Sequence, residues 1–309
     1  MSFQMEIRNT LFVSLTGFFF LLISFAHSNV SAQSDSLFVA RLDTLQKLSL
    51  RIVDSADNEL RLEANAIFQE SFRVELLADS IFYKDFSSIR TVSVLVCPNK
   101  TFRIATWYVP FRDGTFRFFG YVQTPHSSSQ LSAIMELHDN TAAINRSEDK
   151  PLNPENWFGA FYYELIHVAY RRRDFYVLLG WKGNDRNTRM RVIEPFELVN
   201  GRPVFGAPVF QMPGRSPKRI IFEYSSRASM GLHYYPEFRF ERVRRKAPAI
   251  VFDRLIPMQP DLRGSFQFYV PEVNIFDAFR FYRGRWEWVE DVDVRVFVNP
   301  ALQPLNPPN

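Results

Sequence analysis

Short apolar runs rich in aromatic residues recur along most of the chain, and turn-forming residues separate them. Phenylalanine is unusually frequent, with 32 copies among 309 residues, and it is joined by 12 tyrosines and 5 tryptophans. Aromatic and β-branched side chains favour the half-buried surface of a pleated sheet. Such runs at intervals of roughly 8–12 residues are typical of sandwiches, barrels and propeller-like hairpins. We therefore expect a mainly β fold, an antiparallel β region of sandwich or propeller-like type.

Hairpin signals begin at about residue 90. Apolar runs over Phe102–Val109 and Thr115–Gln123 flank the turn Pro110–Gly114, and Asn200–Gly201 turns the chain after a run over Met190–Val199. Asn-Gly and Asp-Gly pairs between apolar runs are strong turn signals. Further strands are predicted at 175–181, 203–205, 219–225, 230–235, 249–255, 266–270, 278–282 and 286–289.

Two segments have the periodicity of helices instead. Apolar residues recur at helical spacing in two series, one before and one after the turn-forming run Asp54–Asn58. The series are Leu42, Leu45, Leu48 and Ile52, then Leu60, Ala64, Ile67 or Phe68, Phe72 and Leu76. They predict an N-terminal helical hairpin packed on the larger β region. A small helix is also predicted over Trp157–Val168, because Asn153–Asn156 resembles a helix start.

The first 32 residues have the features of a cleavable export signal. Arg8 gives a basic start, Leu11–Ala26 is apolar, and Val30–Ala32 has the small-x-small pattern that precedes a cleavage site, here before Gln33. The apolar run is shorter than the ~20 residues that a helix needs to cross a bilayer, so cleavage is favoured over an uncleaved anchor.

These observations divide the chain into four segments. They are a signal peptide over 1–32, a helical region over 33–88, an antiparallel β-rich domain over 89–299 and a disordered Pro/Asn-rich tail over 300–309. We expect no integral membrane span after cleavage, and a location in the periplasm or at the cell surface.

Composition and absent motifs argue against several functions. The net charge is only +4, and basic residues are scattered apart from Arg171–Arg173 and Arg242–Lys246, so nucleic acid is not an expected partner. These clusters are expected to be solvated turns, with an anionic envelope surface as the alternative. The single cysteine, Cys97, cannot form an internal disulfide and is expected to be a small buried residue.

The sequence contains no signature of common catalytic chemistry. It lacks a histidine pair with metal-binding spacing, a Gly-x-Ser-x-Gly elbow and a glycine-rich phosphate loop. We therefore predict no catalytic residue, metal or cofactor. The leading hypothesis is a non-catalytic binding or structural module that recognises an envelope protein or a glycan.

Five residues are candidates for ligand binding. Asn184 and Asp185 lie in a glycine-flanked loop that could hold calcium, although a plain turn explains the same residues. Trp181, Trp286 and Trp288 could stack on sugar rings. Trp286 and Trp288 would share one face of a strand, an arrangement that fits a binding platform or a layer of the core.

Paired carboxylates would support the alternative function, a carbohydrate-active hydrolase. Such an enzyme needs two carboxylates about 5–10 Å apart. The β-rich half offers Glu223, Asp253, Asp261, Glu272 and Asp277. Acidic residues on strands also commonly face solvent or pair with arginine, and one sequence does not show their separation.

The N-terminal region repeats a short pattern of Asp, Ser or Thr, and an aliphatic residue. It resembles the O-glycosylation acceptor of exported proteins in Bacteroidota, which would make the hydroxyl the site of attachment. The candidates are Ser36, Thr44, Ser55 and Ser80. Helix capping by Asp and Ser is the alternative explanation.

Several longer segments together resemble a family of uncharacterised exported proteins of Bacteroidota. The segments are Trp157–Tyr163, Tyr176–Asn184, Arg219–Ser225, Ile250–Leu255 and Tyr269–Glu272, and the resemblance covers most of residues 60–295. Members of the family tend towards His at the position of Arg254 and towards Asp at that of Glu272. The resemblance implies export and a shared architecture, and no known activity accompanies it.

Overall fold

The computed structural model describes residues 36–77, 82, 84–125, 133–241, 243 and 245–294. The predicted signal peptide at 1–32 and the predicted tail at 300–309 lie outside these residues. The fold is mainly β, with two N-terminal helices packed on antiparallel sheets. The predicted fold class is thereby confirmed.

The two helices form the predicted hairpin. Helix α1 covers 36–54 and helix α2 covers Asn58–Leu77. Asp57 caps α2, since its Oδ1 accepts the backbone N–H of Leu60 at 2.9 Å. Arg41, early in α1, donates to Glu75, late in α2, at 2.7 Å, which shows that the helices run antiparallel.

Fourteen strands follow in the described part of the chain. They are β1 (Ser93–Val96), β2 (Arg103–Pro110), β3 (Phe116–Thr124), β4 (Ala133–His138), β5 (Phe161–Tyr170), β6 (Arg173–Gly183), β7 (Thr188–Val199), β8 (Arg202–Phe205), β9 (Phe210–Gln211), β10 (Ile220–Ser225), β11 (Leu232–Phe238), β12 (Ala247–Pro257), β13 (Tyr269–Tyr282) and β14 (Arg285–Val289).

The strands form three sheets. Sheet one has the order β1-β2-β3-β4, sheet two has β10-β7-β6-β5 with β8 beside β7, and sheet three has β11-β12-β13-β14-β9. Neighbouring strands are antiparallel except for β14 and β9, which run parallel. Most neighbours are consecutive in the chain, because short turns join them into hairpins.

The helices and the three sheets pack face to face in sequence order. The helices cover one face of sheet one, where the rings of Phe68 and Trp107 lie 5.3 Å apart. Sheets one and two enclose a second core, in which Phe102 and Phe196 lie 4.5 Å apart. A third core joins sheets two and three, and the outer face of sheet three carries a smaller fourth cluster. Successive side chains of a strand point to opposite faces of its sheet, so one sheet can pack apolar residues against a neighbour on each side.

The predicted helix over Trp157–Val168 is wrong. The capping signal is real, because Asn153 Oδ1 accepts the N–H of Asn156 at 2.9 Å, but the helix is a single 3-10 turn over Pro154–Asn156. Strand β5 follows instead, since its aromatic and β-branched residues pair along β6. The predicted strand at 266–270 likewise begins with a 3-10 helix over Phe266–Phe268.

Candidate functional site

The tryptophans proposed for ligand binding contribute to the core. Trp181 is 6% exposed and its ring lies 5.3 Å from that of Tyr108, while Trp286 is fully buried with its ring 5.0 Å from Phe281. Trp288 is partly buried against the third core. Burial leaves Trp181 and Trp286 no open ring face on which a sugar could stack.

The loop proposed for calcium is built as a hydrogen-bonded turn. Asp185 Oδ1 accepts the backbone N–H groups of Asn187 and Thr188 at 2.7 and 2.9 Å. The Asn184 amide donates to Thr188 Oγ1 at 2.8 Å and to Glu223 at 3.2 Å. Within the described residues, no group of three or more His, Cys, Asp or Glu could hold a metal ion. This turn lies in sheet two and Trp286 in sheet three, so the five candidates are not gathered in one site.

Two of the candidate carboxylates, Asp253 and Asp277, have separate partners. Asp277 forms an ion pair with Arg254 at 2.5 Å, and Asp253 Oδ2 accepts the N–H of Gly231 at 2.6 Å. Burial raises the pKa of Asp253. Asp277 pairs across the sheet with Phe252, the neighbour of Asp253, so the two carboxylates face opposite sides. They do not form the facing pair that a glycosidase requires.

Three of the four candidate glycosylation sites lie on or beside α1. Ser36 and Thr44 are exposed, and the Thr44 hydroxyl donates to the carbonyl of Ala40 at 3.1 Å. The Ser55 hydroxyl donates to the carbonyl of Arg51 at 2.5 Å, just beyond the end of the helix. Ser80 lies outside the described residues.

A cleft that the sequence did not predict lies at one end of sheets two and three. Two turns far apart in the sequence meet there, Tyr170–Arg173 between β5 and β6, and Tyr282–Arg285 between β13 and β14. Both have the pattern Tyr-Arg-x-Arg. The cleft has a volume of about 420 Å³ and is lined by Tyr170, Arg171, Arg173, Phe175, Glu197, Ala207, Pro208, Val209, Arg283, Gly284 and Arg285. We call it the arginine cleft.

The two turns have the same backbone geometry. Tyr170 pairs with Arg173 and Tyr282 pairs with Arg285, so each hairpin closes with a two-residue loop. All four loop residues have positive φ. The angles are 50° and 63° at Arg171 and Arg172, and 50° and 82° at Arg283 and Gly284. Asn and Gly usually occupy such positions, and a non-glycine residue there costs of order 1 kcal/mol.

Gly284 allows the two turns to approach each other. A Cβ added to it would lie 3.3 Å from both Phe175 and Tyr170, at a φ of 82° that other residues rarely adopt. The close approach places the second pair of arginines beside the first, which makes one cleft from two hairpins.

The arginine cleft has more cations than anions. Arg173 forms an ion pair with Glu197 at 2.8 Å. For Arg171, Arg283 and Arg285, no carboxylate lies within ion-pair distance in the described part of the chain. Guanidinium groups bind carboxylate, phosphate or sulfate through paired hydrogen bonds, so the cleft is suited to an anionic group.

Aromatic rings hold some of these guanidinium groups in place. Arg171 lies over the ring of Tyr170 at 5.4 Å, and Arg173 lies over the ring of Phe175 at 5.1 Å. Cation–π contacts of this kind stabilise a side chain without neutralising its charge. Arg171, which has no carboxylate partner in the described part of the chain, therefore remains able to pair with a ligand.

A second cleft, the asparagine cleft, lies along the connection from β4 to β5. It has a volume of about 500 Å³. Its polar wall is Asn145, Lys150, Asn153 and Asn156, and its apolar wall includes Ile144, Pro151, Leu152 and Val204. Among the described residues, the Asn145 amide and the Lys150 ammonium have no hydrogen-bond partner. Both groups are exposed and free to contact a ligand.

A buried ion pair holds the asparagine cleft in shape. Arg219 and Glu194 are fully buried and lie 2.9 Å apart. Arg219 also donates to the carbonyls of Lys150 and Phe205, both at 3.1 Å. Burial raises the pKa of Glu194, while Arg219 lowers it. The pair joins β7, β8 and the cleft loop from within.

Two other ionisable groups, the buried Lys182 and the partly buried Glu164, have weaker partners. Lys182 is hydrogen-bonded to the carbonyl of Gly159 at 2.7 Å, but its nearest carboxylate, Asp139, is 3.8 Å away. Burial lowers the pKa of Lys182 to about 8, although Asp139 opposes the shift. Burial raises the pKa of Glu164 to about 7, and the backbone N–H of Tyr234 partly offsets this. Neither residue lines a cleft.

Comparisons with protein-family models, with curated proteins and with solved structures found no match. In the described part of the chain, no helix has the length and apolarity required to cross a membrane.

Proposed function

We propose that this protein is an exported, non-catalytic binding module whose arginine cleft holds an anionic group of a ligand in the cell envelope. The observation that carries the proposal is the convergence of four arginines, Arg171, Arg173, Arg283 and Arg285, on a cleft with one carboxylate. Excess positive charge in a concave site attracts and orients anions.

Binding without catalysis is favoured by the residues that line the cleft. Arginine keeps its proton at all physiological pH values, so it is a poor acid or base. The carboxylate, Glu197, is engaged by Arg173 at 2.8 Å. The remaining lining side chains are aromatic or aliphatic apart from the Tyr170 hydroxyl. The cleft thus has groups that hold an anion and, among its described lining residues, no free carboxylate or histidine to act on it.

The test is calorimetric titration of the protein with galacturonate and with inorganic phosphate, each at low and high salt. We expect binding that weakens as salt is added, because free ions screen the arginines. The double variant Arg283→Gln/Arg285→Gln should bind at least ~10-fold more weakly, since it loses two charge-assisted contacts.

Arg263→Gln is the matched control, because Arg263 is an exposed arginine without an ion-pair partner in the described residues and lies outside the cleft. It should bind like the wild type. Equal affinity of the double variant, or equal affinity for neutral galactose, would contradict the proposal.

Export is a separate part of the proposal and rests on residues 1–32. Mass spectrometry of the protein recovered from the envelope fraction of its host should find Gln33 as the N-terminus, because Val30–Ala32 forms the cleavage pattern. Recovery of chains that begin at Met1 in the cytoplasmic fraction would show that this part is wrong.

A further inference from the structure

The arginine cleft and the asparagine cleft adjoin each other. Val204, in the wall of the asparagine cleft, pairs across β7 and β8 with Glu197, in the wall of the arginine cleft. Directly paired residues on antiparallel strands have Cβ atoms about 5 Å apart and point to the same face. Ala207, which follows Val204 by three residues, also lines the arginine cleft. A ligand longer than one residue can therefore contact both clefts.

The two clefts offer different chemistry. The arginine cleft offers guanidinium groups for an acidic group. The asparagine cleft offers the Asn145 amide, which both donates and accepts, beside the Lys150 ammonium and an apolar wall. Neither polar group has a hydrogen-bond partner among the residues that the structure describes. Hydroxyl groups suit an amide because they also donate and accept, and the C–H face of a sugar ring suits an apolar wall. Lys150 adds a second cation for a second acidic group.

An extended acidic peptide fits this surface less well. Extended peptides commonly bind by adding a strand to an open sheet edge. Beside the asparagine cleft that edge is occupied at Phe205, the last residue of β8, which exchanges backbone hydrogen bonds of 2.7 and 2.9 Å with Leu152. A peptide could not use this residue as a backbone partner, whereas a sugar chain needs no backbone partner.

We infer that the two clefts form one binding site for an acidic oligosaccharide, with a carboxylate-bearing sugar in the arginine cleft and a neighbouring sugar in the asparagine cleft. The inference rests on the proposed function and extends it, since it names the ligand class and adds Asn145 and Lys150 to the site. The Arg219–Glu194 ion pair fixes the loop of the asparagine cleft to β8, because Arg219 donates to the carbonyls of both Lys150 and Phe205.

The experiment compares single and linked sugars. Galacturonate and a galacturonate hexamer are titrated into the wild-type protein and into the double variant Asn145→Ala/Lys150→Ala. We expect the hexamer to bind the wild type at least ~10-fold more tightly than the monomer, because contacts made by one linked ligand reinforce each other. The double variant should lose most of that gain and keep its affinity for the monomer.

The control variant is Asn187→Ala/Lys47→Ala, which removes the same residue types from exposed positions outside both clefts. It should bind the hexamer more tightly than the monomer by the same factor as the wild type. Equal affinity of the wild type for monomer and hexamer would overturn the inference while leaving the proposed function intact. Equally tight binding of a hexaglutamate peptide would overturn the choice of a sugar chain. Absence of any anion binding would instead refute the proposed function itself.

Discussion

Arginine has opposite roles in two regions that lie close together. Beneath the asparagine cleft, Arg219 is fully buried, pairs with Glu194 at 2.9 Å and donates to backbone carbonyls. In the arginine cleft, Arg171, Arg283 and Arg285 have no carboxylate within ion-pair distance among the described residues. The buried arginine uses its charge within the fold, whereas we propose that the exposed arginines keep theirs for a ligand.

The difference shows how a structural charge can be told from a functional one. A buried charge must be paired and hydrogen-bonded, or the fold loses stability. A surface charge needs no partner for folding, so a group of like charges that is left unpaired requires another explanation. The predictions below test this distinction at four charged sites.

The largest effect is expected at the buried pair. Arg219→Met leaves Glu194 in the core without a counter-ion and should lower the free energy of unfolding by about 3–5 kcal/mol. Urea denaturation measures the change. Replacing both partners, as Arg219→Met/Glu194→Leu, should recover part of the loss.

The exposed pair Arg202–Glu155, at 2.8 Å, is the control, and Arg202→Gln should cost less than about 1 kcal/mol. If Arg219→Met also lowered the free energy of unfolding by less than about 1 kcal/mol, the contrast between buried and exposed arginines would not hold.

Lys182 is intermediate between the buried, paired Arg219 and the exposed, unpaired arginines. Its side chain is buried, but its nearest carboxylate, Asp139, is 3.8 Å away. Its pKa of about 8 lies below the ordinary lysine value of about 10.4. Between these pH values the unfolded chain holds a proton that the folded chain has released. The free energy of unfolding should therefore rise with pH, by at most about 1.4 kcal/mol per pH unit.

Urea denaturation of the wild type and Lys182→Met across this pH range tests the prediction. The wild type should gain stability relative to the variant as the pH rises above about 8. If the free energies of unfolding of the wild type and the variant changed in parallel with pH, burial of the Lys182 ammonium would not destabilise the fold.

Glu164 should have a smaller effect with the opposite sign. Its pKa of about 7 lies above the ordinary value of about 4.3, so the folded chain keeps a proton that the unfolded chain releases between these values. Stability should fall as the pH rises through this interval. Glu164→Gln removes the charge and should be about 1–2 kcal/mol more stable than the wild type at pH 8. Thermal melting at pH 4 and pH 8 measures this, and a variant less stable at both values would contradict it.

The smallest effect on stability is expected in the arginine cleft. Arg283→Gln/Arg285→Gln should change the free energy of unfolding by no more than about 0.5 kcal/mol, since surface substitutions of this kind are nearly neutral. A slight gain at low salt is expected because repulsion is relieved. A loss above about 2 kcal/mol would mean that these arginines support the fold, and the contrast with Arg219 would not hold.

Local patterns were sufficient to predict much of the fold. Helical spacing identified both helices, since Leu42, Ile52, Phe68 and Phe72 are all buried against sheet one. Hairpin turns identified most strands. Trp157–Val168 was misassigned because a capping signal of one turn outweighed the β-forming residues that follow it.

The candidate site could not be found in the same way. Both Tyr-Arg-x-Arg turns are visible in the sequence, and their shared pattern was a signal that could have linked them. Their proximity depends on the stacking of sheet three on sheet two, which no local pattern encodes. The same stacking decides that Trp286 is buried, because its strand faces the third core.

The parallel pairing of β14 with β9 limits how this molecule can be divided. Strand β9 belongs to sheet three, yet it precedes β10, the edge strand of sheet two, in the chain. A cut between β9 and β10 separates sheet two from its edge strand, and a cut after β10 separates β14 from β9, the strand that pairs with Trp286 and Glu287. The two sheets that form the arginine cleft are therefore interleaved along the chain, and no single cleavage between them leaves both intact.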